Sequence, residues 1–181
     1  MRRKLKYAAA AAAGVLLLLW LVCLPRDLFE GTTYSPVVTA RNAALLGARV
    51  ADDAQWRFPP RDTLPEKFVK ALVEFEARSF FDHCGVSPRA LVRAAIQNIR
   101  NGRIVSGGST LTMQVIRLSR QKPRTLWQKL VETCMATRLE LRCSKEEILR
   151  LYAAHAPFGG NVVGIDAAMW RYLGSDRTEL S

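Results

Sequence analysis

Glu76 lies on the apolar side of its own helix. On a wheel of 100° per residue, Val69, Leu72 and Val73 form an apolar stripe, and Glu76 falls in its middle. Glu74 instead lies one turn from Lys70, the spacing of a solvated ion pair. A carboxylate on a core-facing stripe is costly unless it is paired or opens into a cleft. Clefts are where enzymes keep such groups as general acids or bases. Phase alone leaves two readings, a helix-end glutamate that reaches water and an acid/base group.

Further along, Gly107-Gly108-Ser109-Thr110 sets two glycines before a helix, where free N–H groups attract anions such as phosphate. An ordinary loop with a cap has the same composition, and read alone that explanation leads. Arg89, Arg93 and Arg100 share a helix face with Gln97, a surface for lipid headgroups or a diphosphate, or simply a solvated face. On a later helix Leu126, Trp127, Leu130, Val131 and Cys134 form the expected buried stripe, and Lys129 and Glu132 lie off it as an i,i+3 pair.

The elements that must hold these residues are mostly helical. A first helix runs from about Pro65 to Ser79. A second opens with Ser87 as N-cap and Pro88 at the first position, and stops at Gly102. A third follows Gly107-Gly108 with Ser109 as its cap, and a fourth covers about Thr125 to Arg142. A fifth starts at Ser144, with Glu147 completing a capping box, and a last one runs from about Gly164 to Leu173 before Gly174. Upstream, Val37–Ala40 and Leu45–Val50 flank Arg41-Asn42 as a short β-hairpin, and Pro59, Pro60 and Pro65 mark an irregular stretch. Everything beyond Pro65 reads as helix, which predicts a mainly α globule on a stalk.

The chain has 181 residues and a formal charge of +11, with 49% hydrophobic residues. That length suits one compact domain with short appendages, and the apolar content excludes a disordered chain. Part of the charge sits in Arg2, Arg3, Lys4 and Lys6, ahead of the uncharged run Ala8 to Leu24. At the helical rise this run spans about 26 Å against a hydrocarbon core of ~30 Å. Tyr7 and Trp20 flank it, and the preceding cations leave the N-terminus cytoplasmic and export the remainder. A cleaved signal peptide is the rival, but Trp20-Leu21-Val22-Cys23 is too bulky for a small-residue cleavage site. The expected layout is a basic tail (1–7), an anchor (8–24), a linker with the hairpin (25–63) and a catalytic domain (64–181). Export makes nucleic acid an unfavoured partner. It also sets Cys84, Cys134 and Cys143 in an oxidising compartment, without the spacing of a zinc site.

In order and spacing, the motifs resemble the peptidoglycan glycosyltransferase domain, glycosyltransferase family 51, of class A penicillin-binding proteins and monofunctional transglycosylases. The stretch from Glu76 to Gly85 is similar to E-D-x-x-F-x-x-H-x-G, with Phe80 and His83 in place. Gly107 to Gln114 is similar to G-G-S-T-I-T-Q-Q, Arg124 to Glu132 to R-T-x-x-R-K-x-x-E, and Ser144 to Tyr152 to the fourth motif. Gln55–Pro59, Met113 and Ala156–Asn161 resemble most the penicillin-binding protein 1C branch.

The resemblance implies a lysozyme-like α-helical fold on the outer face of a bacterial inner membrane, polymerising lipid II into glycan strands. It implies Glu76 as general base on the acceptor 4-hydroxyl, with undecaprenyl diphosphate leaving under inversion, and Glu132 near the diphosphate. Arg78, Arg124, Lys129 and the Gly108-Ser109-Thr110 turn would meet the leaving group, assisted by a divalent metal (Mg2+ or Mn2+), and Phe80, His83 and Gln114 match substrate-binding positions. The implied partners are lipid II, the nascent strand, membrane phospholipids and other wall-synthesis proteins.

Ala77, Gln128 and Ala154 stand where the family has aspartate, arginine and asparagine. The chain stops at Ser181, where the family's domain is expected to continue. A non-catalytic lipid II-binding remnant and a lysozyme-like hydrolase are the alternatives. Ser119-Arg120-Gln121-Lys122 fits S-x-x-K without its companion motifs, so penicillin binding is not expected.

Overall fold

A computed structural model describes residues 2–42, 44–76 and 79–174. The chain order is α1 (Arg2–Val22), β1 (Val37–Thr39), β2 (Leu45–Ala48), β3 (Trp56–Arg57) and α2 (Glu66–Glu76). A 3-10 turn at Phe80–Asp82 leads to α3 (Pro88–Asn101), α4 (Leu111–Arg120), α5 (Leu126–Glu140) and α6 (Lys145–His155). Strands β4 (Pro157–Gly159) and β5 (Val162–Val163) precede α7 (Ile165–Leu173).

Helix α4 is the centre of the body. Leu111, Met113, Val115 and Ile116 are buried in it, and α5 and α6 pack around it through Met135, Ala136, Leu139, Ile148 and Leu149. The α2 stripe of Val69, Leu72 and Val73 closes the same core, as its period predicts. Local chemistry sets the helix starts. Ser87 accepts the Ala90 N–H ahead of Pro88, and Ser144 and Glu147 form the reciprocal capping box. The α4 cap falls one residue later than expected: Thr110, not Ser109, accepts the Met113 N–H.

The mainly helical fold is as expected, and the hairpin forms, with a register shift between Val38 and Thr39. The expectation that the elements beyond Pro65 are all helical is corrected. Strands β4 and β5 pair antiparallel, and β3 joins β5 in parallel with Trp56 opposite Val162. Runs of two or three residues are too short to show an alternating period. Leu28 is buried in the α4 core, and Phe58 packs with Val162, Ala167 and Ala168.

The expected α5 stripe is also corrected. Leu126, Trp127, Leu130 and Cys134 are exposed, and the buried side is Met135, Ala136 and Leu139. Both faces of α5 carry apolar residues, so neighbours decide burial, and the side that packs on α4 is the buried one.

Helix α1 docks on α5 through its C-terminal end. Trp20 donates its indole N–H to Thr137 at 3.0 Å, and the Arg138 guanidinium lies 5.6 Å from the Trp20 ring. Arg138 and Arg142 donate to the Leu21 and Pro25 carbonyls, at 3.4 and 2.5 Å, and the Leu21 carbonyl is one that the end of the helix leaves open. Among the described residues no helix is long and apolar enough to cross a membrane. The uncharged part of α1, Tyr7–Val22, measures about 24 Å at the helical rise.

Candidate functional site

One hydroxyl joins the first two motifs. Thr110 donates its Oγ1 proton to the Gly85 carbonyl at 2.6 Å and accepts the Met113 N–H at 3.2 Å. The start of α4 and the segment beyond Glu76 are therefore neighbours. Gly85 has φ +86°, and a Cβ there would stand 2.7 Å from the Ala136 carbonyl oxygen, so α5 demands a glycine. Gly108 meets α3 as tightly, with an added Cβ 2.8 Å from Leu91 Cδ2. Asn98 on α3 fastens the approach to this turn, accepting the Val105 and Ser106 N–H groups and donating to the Ser106 carbonyl. Thr110 is buried and Ser109 half-buried.

Glu76 closes α2, and its side chain lies outside the described residues, as do Ala77 and Arg78. The residues that follow are well defined. Phe80 is fully buried, edge-on to Phe81 at 5.2 Å and to His83 at 6.3 Å, so its ring is part of the core. His83 is half-buried, and its Nδ1 is a buried atom with no hydrogen-bond partner among the described residues. Burial first, then the Lys145 charge, pushes the imidazole below the usual histidine range, which keeps it neutral at neutral pH. Gln114 is half-buried on α4.

The third-motif residues lie apart on α5 and the segment before it, with Arg124 and Lys129 exposed and Glu132 half-buried. Gln128 Oε1 accepts from Arg120 of α4 at 3.0 Å. Arg89, Arg93 and Arg100 are exposed on α3.

Sequence reasoning passed over a buried polar cluster behind His83. Lys145 donates to the His83 carbonyl at 2.7 Å and pairs with both Glu140 oxygens at 2.7 and 2.9 Å. Thr112 donates to Glu140 at 2.5 Å. A signal was available. Lysine at a helix start and glutamate at a helix end each oppose the helix dipole, so each needs a partner elsewhere.

A cavity of about 440 Å3, lined by Arg26, Arg61, Arg142, Arg150, Glu147 and His155, lies away from all four motif segments except α6. Among the described residues no three His, Cys, Asp or Glu side chains converge. All four cysteines are free.

The ordered motifs, the glycine-limited contacts and the helical body agree with one family. The chain belongs to the transglycosylase family, which it matches over residues 44–181. It is 43% identical over 146 residues to penicillin-binding protein 1C of Escherichia coli (strain K12), covering 80% of this chain and 19% of that protein. It is 41% identical to penicillin-binding protein 1A of Aquifex aeolicus (strain VF5), covering 66% and 17%. To penicillin-binding protein 1B of Vibrio cholerae serotype O1 it is 39% identical, covering 75% and 18%. The chain spans less than a fifth of the length of each of these relatives.

Proposed function

We propose that this chain is a peptidoglycan glycosyltransferase that joins lipid II units into glycan strands and releases undecaprenyl diphosphate. The observation that carries the reading is the Thr110–Gly85 hydrogen bond, which sets the segment following Glu76 against the glycine-rich start of α4.

In this reading Glu76 removes the proton from the acceptor 4-hydroxyl. The freed oxygen attacks the donor's anomeric carbon, and the bond to the diphosphate breaks on the opposite face. Negative charge then builds on the leaving oxygen. Ser109 and Thr110 at the α4 start, with Arg78, Arg124 and Lys129, meet that charge, and Glu132 orients the group beside them. Gln114, Gly108, Phe80 and His83 shape the groove. Phe80 does so from within the core and His83 as a neutral ring.

Helix α1 is the membrane anchor in this account, with the catalytic body on the outer face. Its support is a basic start followed by leucines at 16–19 that are more than half exposed and have no protein to cover them among the described residues. Phospholipids and other wall-synthesis proteins are the partners this placement brings into reach.

The test is incubation of the purified full chain with labelled lipid II. Glycan polymer is the expected product. Tight lipid II binding with no polymer would mark a binding module, and muropeptides released from finished sacculi would mark a hydrolase.

A further inference from the structure

We infer that Lys145 is a positioning residue for transfer, gripping the His83 carbonyl to hold the segment that follows Glu76, with Glu140 and Thr112 aiming it. The inference rests on the glycosyltransferase reading above. Its geometry stands on its own.

The ammonium group of Lys145 is surrounded. It donates to the His83 carbonyl at 2.7 Å, meets the Glu140 carboxylate at 2.7 Å and lies 4.4 Å from the Phe80 ring centroid. Its three directions are therefore taken by a carbonyl, a carboxylate and an aromatic face. The Thr112 hydroxyl, fully buried on α4, fixes Glu140 in turn. The side chains of Glu140 and Lys145 are only 5% and 19% exposed, so both charges have lost most of their water.

Stability does not account for this pair. Glu140 is the last residue of α5 and Lys145 the first of α6, so each charge sits at the helix end that repels it. Desolvating two ions commonly cancels what their attraction returns, and apolar replacements of such pairs are often neutral or stabilising. What an apolar pair would not supply is a donor aimed at one backbone carbonyl. That carbonyl belongs to the motif histidine seven positions after Glu76. The grip lies between the 3-10 turn at Phe80–Asp82 and Gly85, which is pinned to Thr110 and Ala136. The segment is thus held from α4, α5 and α6 together. Lys145, Glu140 and Asp82 are the charged groups acting on the His83 ring.

The experiment compares Lys145→Met, Lys145→Arg and the double variant Lys145→Met/Glu140→Leu with the wild-type full chain. Lipid II polymerisation gives kcat and KM, circular dichroism gives the fold, and NMR of histidine-labelled protein follows the ring of His83. The chain has 2 histidines, so its signals separate from those of His155 by one substitution.

Lys145→Met is expected to lower kcat about 100-fold with KM within about twofold, the pattern of a misplaced reacting group. The His83 titration should move to higher pH, and Lys145→Arg should recover part of kcat. The double variant, free of a lone buried charge, should fold with wild-type thermal stability and stay as slow as Lys145→Met. A folded single or double variant with wild-type kcat would overturn the inference, and so would an unmoved His83 titration in Lys145→Met. A wild-type chain without polymerase activity would instead overturn the functional reading, while the titration still reports on the Lys145–His83 contact.

Discussion

Thr110 and Gly85 are joined by a 2.6 Å hydrogen bond from a side chain that also caps α4. Removing the hydroxyl while keeping the shape should therefore loosen two elements at once. Thr110→Val is expected to cost about 1–2 kcal/mol in denaturant unfolding, and Thr110→Ser well under half of that. Equal stability of Val and wild type would show that the bond holds nothing.

The other side of the same residue pair is steric. Gly85 combines φ +86° with a backbone carbonyl 2.7 Å from where a Cβ would stand. Gly85→Ala should destabilise by roughly 1–3 kcal/mol from the backbone conformation alone, before the contact with Ala136 adds to it. Thermal unfolding measures it, and an unchanged Tm would contradict the described backbone.

Arg120 and Gln128 make the third case. The guanidinium of Arg120 lies 3.0 Å from Gln128 Oε1. Gln128→Arg should set two cations against each other and lower stability by up to about 1 kcal/mol. Adding Arg120→Gln should relieve it. Lack of relief in the double variant would place the cost elsewhere.

Acid should weaken the fold through its histidines. His83 and His155 both have lowered pKa values, burial being the leading cause for each. The unfolded chain then takes up protons near the ordinary histidine pKa, about 6.5, while the folded chain takes them up only at lower pH. Their contribution is complete above that value and is lost as pH falls through the folded values. Tm should be lower at about pH 5.5 than at about pH 7.5, and the gap should shrink in His155→Gln. A Tm independent of pH over this range would refute it.

Helix positions were legible because their signals are local. Ser87-Pro88, Ser144 with Glu147, and the glycines at 102 and 174 each act within one turn. The buried side of α5 was not legible, because Trp127 and Met135 are equally apolar and only the packing on α4 chooses between them. The β3–β5 pairing joins residues more than a hundred positions apart, through strands too short to carry a period. At the site, the motif spacing drew attention to the loop and the α4 start that meet at Thr110. It passed over Glu140, whose meaning lies in a partner across a helix break.

The most direct measurement is polymerisation of labelled lipid II by the full chain carrying Glu76→Gln, beside wild type. The amide keeps the size of the side chain and removes its ability to take a proton. The account predicts a fall of at least about 100-fold in rate, with lipid II still bound. Polymer formed at the wild-type rate by Glu76→Gln would contradict it.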